Sequence, residues 1–273
     1  MNATLGNSRP LSRLTVVAIQ LAVVAAFLAA WQYLPQIEWF SSRFRFLDPL
    51  FISSPSDVAL ELYRQTTGAD DTLTIWTYVW PTLWASIIGT AIGVVGGLIC
   101  GLALADSQNL SRIFRPFLIA LNAVPRIALV PVFIILFGPT TEGTAAVCIA
   151  VVFFVAFFNA YEGASSVPAE VLQNVRLLGA KRFAIVTRVR FPYAAAWTFA
   201  SLPLAITFAI ITAVTAEVLI GTRGMGRLLL ISMQTGTAAL TFTVAIVLSV
   251  LGLIAVGITE LSRRRILHWW RPS

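Results

Sequence analysis

An all-α polytopic membrane protein with six transmembrane helices is the fold class that this chain of 273 residues predicts, and three observations predict it. Hydrophobic residues make up 58% of the chain and charged residues only 11%, outside the range of a soluble globular domain. Uncharged runs cover 14–34, 76–104, 143–161, 191–216 and 228–259, each at or near the roughly 20 residues that a spanning helix needs. Lys and Arg number 19 against 12 Asp and Glu, and no basic stripe is interleaved with aromatics. That excess fits loops facing an anionic leaflet and argues against nucleic acid. Two cysteines, Cys100 and Cys148, each within an apolar run, and a single histidine, His268, exclude a disulfide framework and a metal cluster.

The chain reads as one transmembrane domain over 1–273, with spans at about 14–34, 76–104, 113–137, 143–161, 191–216 and 237–259. The first run is longer than the apolar core of a signal peptide, so it reads as an uncleaved anchor. Residues 35–75 follow outside, with six acids and the turn-like stretch Ser53 to Asp57, where Ser56 or Asp57 could cap a short surface helix. The second span carries Gly89, Gly93, Gly97 and Gly101, a row that lets two backbones approach closely in lipid. Packing against a helix of the same subunit is the plainer expectation, and a homodimer seam is the sharper one.

Segment 113–137 decides the topology, because Arg115 and Arg126 interrupt it. If it spans, the arginines and lysines sort by side. The cytoplasmic face collects Arg9, Arg13, Arg112, Arg115, Arg176, Lys181, Arg182, Arg188, Arg190, Arg263, Arg264, Arg265 and Arg271, against Arg43, Arg45, Arg64, Arg223 and Arg227 outside. The positive-inside bias therefore favours six crossings with both termini in the cytoplasm. The terminal arginines with Trp269 and Trp270 read as an interfacial stop signal.

On the inside the only long loop is 162–190. Within it, Ser166 or Val167 as N-cap, Pro168 in the first turn, Glu170 beside it and Gly179 as terminator predict a helix of about eleven residues, about 16 Å long and too short to span. Val171, Leu172, Val175 and Leu178 share one face, with Glu170, Gln173 and Asn174 on the other. The pattern fits a helix lying on the inner leaflet or a docking element for a soluble partner.

These residues carry a family resemblance. Asn159 and Gly163, Val167-Pro168, Arg176 with Leu178-Gly179, Phe183, Val189, Phe191-Pro192, Ala216-Glu217 and Gly224-Met225-Gly226 resemble the permease subunits of type I ABC importers, in the nitrate/sulfonate/taurine branch. Ser54 to Asp57 and the segment from Pro125 through Pro131 to Phe137-Gly138 are also similar, so the resemblance runs from about residue 50 to the end. Where the family's cytoplasmic signature has a Glu-Ala-Ala triplet, this chain has Gln173-Asn174-Val175, and Trp197 stands where relatives often carry another proline.

The resemblance implies a homodimer in a bacterial inner membrane and two cytoplasmic ATPase subunits, with ATP and Mg on those partners. It also implies a periplasmic or lipid-anchored solute-binding protein. It makes 166–179 a short cytoplasmic coupling helix, with Val167, Pro168, Glu170, Leu172, Gln173, Arg176, Leu178 and Gly179 as its ATPase-coupling residues. The chain has no G-x-x-x-x-G-K-[ST] loop, so hydrolysis is expected of another polypeptide, and no cofactor is expected on this one.

Three residues are candidates for a solute pathway. Arg126 falls mid-way along the third span, where an arginine costs roughly 2.5–3.5 kcal/mol against lipid, so it must face protein or water, or snorkel to the interface. Pro125 and Pro131 flank it and free backbone carbonyls. Asn122 lies one turn earlier. Glu217 ends the fifth run and can gate a pathway or pair with Arg223 or Arg227 to fix the following turn. A stand-alone secondary transporter is the alternative function; it would favour buried acids and an internal repeat, which this chain does not display. No paired carboxylates or Ser/His constellation supports an intramembrane enzyme.

Overall fold

The structure, a computed structural model, describes residues 12–37, 39, 43, 49–68 and 73–266. Arg9, Glu38, Arg45, Asp48, Asp70, Asp71, His268, Trp269, Trp270 and Arg271 lie outside them. The described residues fold as helices without strands. Apart from four short turns of three to five residues, in chain order these are α1 (Arg13–Tyr33), α2 (Pro55–Thr67), α3 (Trp76–Asp106), α4 (Gln108–Ala123), α5 (Arg126–Phe137) and α6 (Thr141–Ser165). Then come α7 (Ala169–Leu177), α8 (Phe191–Ala200), α9 (Leu202–Ile220), α10 (Met225–Thr235) and α11 (Ala238–Ile266).

The centre of the bundle is the contact between α3 and α6, and glycine makes it possible. A Cβ added at Gly93 would stand 2.8 Å from Val152 Cβ; at Gly97, 2.6 Å from the Phe153 carbonyl; and at Gly101, 2.6 Å from the Phe157 carbonyl. At Gly89 it would collide with Cys148. The plainer reading of the glycine row therefore holds: its partner is a helix of the same chain. Residue numbers climb together along both helices, so α3 and α6 run parallel. Between them the chain has to return to the Trp76 end, and α4 and α5 make that return.

The return is not one continuous helix: the span expected over 113–137 is broken at Val124–Pro125. α4 and α5 meet at 97°. Val124 is extended (φ −63°, ψ 128°) because the Pro125 ring disfavours the helical region for the residue before it. Pro131, by contrast, sits inside α5 without breaking it. Arg126 is therefore the first residue of a helix directly after the bend, and not a mid-helix residue. Among the described residues five helices are long and apolar enough to cross a membrane, and the bent pair makes up to six.

The fifth expected span, 191–216, is likewise divided. α8 ends at Ala200, Ser201 (φ −87°, ψ −5°) marks the break, and Pro203 stands in the first turn of α9. Trp197 packs on Gly163, where an added Cβ would lie 2.8 Å from Trp197 Cβ. The surface helix α2 starts earlier than expected: Ser54, not Ser56 or Asp57, is its N-cap, accepting from the Asp57 amide at 3.2 Å with Pro55 in the first turn. α2 is fastened to α11 where the Thr243 hydroxyl donates to the Val58 carbonyl at 3.3 Å. α1 has no buried residue. It is tied at its C-terminal end by Trp31 Nε1 donating to the Ile52 carbonyl (3.2 Å) and by a reciprocal pair between the Gln32 amide and Ser56.

Glycine at the seam makes a prediction of sign. Gly97→Leu forces α3 off α6 and should destabilise by about 1–3 kcal/mol, the usual cost of overpacking. Gly96→Ala meets only the Phe153 ring at 3.5 Å, an ordinary contact, and should be neutral or slightly stabilising. Thermal aggregation of the two variants in detergent reads the difference.

Candidate functional site: a carboxylate clasp and an exposed loop tip

Two constellations at opposite ends of α3 combine polar chemistry with unusual burial. At the Trp76 end, Glu217 in the last turn of α9 is 1% exposed. The Thr82 hydroxyl of α3 lies 2.8 and 2.9 Å from its two oxygens, and the Gly226 amide donates to Oε2 at 2.9 Å. Thr82 Oγ1 in turn accepts from the Met225 amide at 2.8 Å.

One carboxylate and one hydroxyl thus join α3, α9 and the N-terminus of α10. α10 has no side-chain cap of its own, and Glu217 supplies the anion that its free amides and dipole favour. The sequence explains the fit: a Cβ at Gly224 would overlap the Glu217 carboxyl, and one at Gly226 would come within 2.7 Å of Glu217 Cβ. The expected pairing of Glu217 with Arg223 or Arg227 does not form. Arg227 donates to the Gly221 carbonyl instead, Arg223 is exposed, and the partners of the carboxylate are neutral.

The other pathway candidates lie elsewhere. Asn122 is exposed in the last turn of α4 and lines a small crevice with Val124, Leu129 and Phe154. Arg126 has a described backbone, but its side chain lies outside the described residues. The structure brings Glu217 together with Thr82, which sequence reasoning missed because a threonine in an uncharged run carries no signal.

At the Asp106 end, the loop between α6 and α8 projects α7. This helix spans nine residues, shorter than expected, because Pro168 is its N-cap, without a side-chain cap. Ser166 turns the other way: its hydroxyl donates to the Gly163 carbonyl at 2.8 Å and closes the end of α6. The C-terminus does stop at Gly179. Gly179 N–H donates to the Arg176 carbonyl (2.9 Å) and Ala180 N–H to that of Val175 (3.1 Å), with Gly179 at φ +80°, a conformation that side chains rarely adopt.

Of the expected coupling residues, Val167 is buried, Leu172 is half-buried, and Pro168, Glu170, Gln173, Arg176, Leu178 and Gly179 are exposed. The apolar face of α7 is only partly covered by the rest of the chain, with Leu172 and Val175 half-buried. Leu178 is 86% exposed, and Leu177, which the periodicity did not select, is 85% exposed; Phe183 follows at 78%. A patch of large apolar side chains at a loop tip is unusual on a solvent-facing surface.

The clasp predicts a specific dependence on one hydroxyl. Thr82→Val keeps the volume but strips the Glu217 carboxylate and the Met225 amide of a partner, and should destabilise the protein by about 1–3 kcal/mol. Thr82→Ser should restore most of it, as read by thermal unfolding in detergent.

Residues 93–268 match the family model described as binding-protein-dependent transport system inner membrane component. The riboflavin transport system permease protein RibX of Chloroflexus aurantiacus is 26% identical over 160 residues, 59% of this chain and 60% of the relative. The formylaminopyrimidine transport permease protein ThiX of Halalkalibacterium halodurans is 25% identical over 60% of this chain and 65% of its own length. The chain thus spans less than two thirds of these two relatives. The taurine transport system permease protein TauC of Escherichia coli is 24% identical over 93% of this chain and 90% of the relative. In three dimensions, a chain from inward-facing structures of the MetNI methionine ABC transporter superposes with a TM-score of 0.61 at 18% identity, covering 69% of this chain and 94% of that one. The match reaches from the glycine seam to the end of the last span, and with it the chain belongs to the binding-protein-dependent transport system inner membrane components, the multi-pass permeases of ABC transporters.

Proposed function

We propose that this chain is the transmembrane permease subunit of an ATP-driven importer, working as a homodimer. Two cytoplasmic ATPase subunits dock on its α7 helices, ATP and Mg bind those partners, and a periplasmic or lipid-anchored solute-binding protein meets the opposite face. The observation that carries this reading is the tip of α7: Leu177, Leu178 and Phe183 stand exposed at the end of a loop rich in arginine, on a short helix stopped sharply by Gly179. Closure of two ATPases on each other would move the paired α7 helices together and tilt the spans attached to them.

Charge supports the side. α7 shares its end of the bundle with Asp106, Arg112, Arg115 and Arg182, and the arginine excess favours a cytoplasmic location for that end and for both termini. The transported solute is a small organic or inorganic anion of the sulfonate, taurine or nitrate kind, or a nitrogen heterocycle. The relatives named for taurine, riboflavin and formylaminopyrimidine support that range. Asn122 and Arg126 are proposed to line the pathway, with Arg126 at the bend where irregular backbone is tolerated only beside protein or water, and Glu217, buried in its clasp, to act on it through the packing of α3, α9 and α10.

Leu178→Asp or Gly179→Asp should abolish co-purification of the ATPase while membrane insertion is unchanged; retained association refutes the docking role. Arg126→Ala should lower ATP-driven uptake of a taurine or pyrimidine probe into vesicles without altering assembly. Failed assembly would make the residue structural.

A further inference from the structure

The far end of the docking loop is fastened to α3 by charge. α3 ends at Asp106, where a carboxylate meets the negative end of the helix dipole. Two arginines of the loop offset both. Arg182 Nε donates to Asp106 Oδ2 at 2.6 Å. Arg190 lies 3.5 Å from Oδ1 and donates to the Ala105 carbonyl, one of the groups that the end of α3 leaves without an intrahelical partner.

The side chains of Asp106 and Arg190 are mostly shielded, which strengthens their attraction relative to a surface pair, whereas Arg182 is largely exposed. Arg190 closes the segment Val186–Arg190, a single π-helical turn of the kind frequently found at functional sites. At the loop's beginning, Val167 is buried and Ser166 closes α6; between these anchors α7 has no buried residue. The loop is thus free at its tip and anchored at both ends, and one of the anchors grips a helix that is not its neighbour in sequence.

We propose that Asp106 is a positioning residue for energy coupling: through Arg182 and Arg190 it passes displacement of the docking loop to α3. This rests on the docking role of α7 stated above. α3 is a continuous helix of 31 residues, about 46 Å at 1.5 Å per residue, and it carries Thr82 of the carboxylate clasp near its other end. A push at the tip therefore reaches the clasp along one rod. With the Asp106 charge removed, the loop keeps its covalent links to α6 and α8 but loses its grip on α3.

The test needs no knowledge of the solute. In the assembled complex with Cys100→Ser, spin labels are placed at Thr187→Cys, on the loop, or at Trp80→Cys, at the outer end of α3, and distances between the two copies are measured with and without ATP and vanadate. In the unsubstituted background both label pairs should shift. Asp106→Ala should retain the ATPase and the shift at 187 but reduce the shift at 80 at least about threefold, and Asp106→Glu should restore it. Arg182→Ala, which leaves Arg190 on the helix end, should reduce the shift at 80 in the same direction and serves if Asp106→Ala fails to assemble. A full shift at 80 in either assembled alanine variant overturns the proposal, as does loss of both shifts with the ATPase still bound. No shift at 187 in the unsubstituted complex overturns the docking reading itself, and this one with it.

Discussion

Four glycines on one face of α3 let that helix lie against α6 at backbone distance, and the rest of the arrangement follows from this contact. In lipid no water exclusion drives two helices together, so close packing of small residues has to supply the attraction. Because the two helices run parallel, the chain between them has to turn back, and the bend at Val124–Pro125 makes that turn with two short helices set at 97°. The same seam fixes which polar groups meet. Thr82 at one end of α3 comes to Glu217, and Asp106 at the other comes to Arg182 and Arg190.

The two polar ends differ in kind. The clasp is buried and built from neutral donors around one carboxylate, with glycines at 224 and 226 leaving the room it occupies. Burying a carboxylate without hydrogen bonds would be prohibitive, and here the Thr82 hydroxyl and the Gly226 amide carry that burden. The loop end is charged, partly open to solvent and crowned by exposed leucines. Under the proposed function such a pairing suits a membrane subunit moved by an external motor: a handle that is free at the tip, and a rigid element to which it is tied.

Much of this was legible in the sequence, and the legible parts share a cause. Composition and uncharged run length report solvent, so the spans at 14–34, 76–104, 143–161 and 237–259 fall on α1, α3, α6 and α11 within a few residues at most ends. Gly179 as a helix stop and the glycine row as a packing face were readable because glycine has a local meaning that few contexts override. Local rules failed where two caps competed. Ser166 looked like the cap of α7 and instead closes α6, and Ser54 took the place expected of Ser56 or Asp57. The bends at Val124 and Ser201 divided two segments that hydropathy alone reads as single spans.

By itself the sequence determined a helical membrane protein with a short amphipathic helix in the long loop after α6, because hydrophobic length and helix-stop residues act locally. The tertiary structure decided which residues meet: Glu217 with Thr82 rather than an arginine, Asp106 with Arg182 and Arg190, and Leu177 and Leu178 out in the open. Those meetings join residues 76 to 135 positions apart in the chain. They depend on the parallel register of two long helices, and nothing local in a stretch of sequence specifies a register.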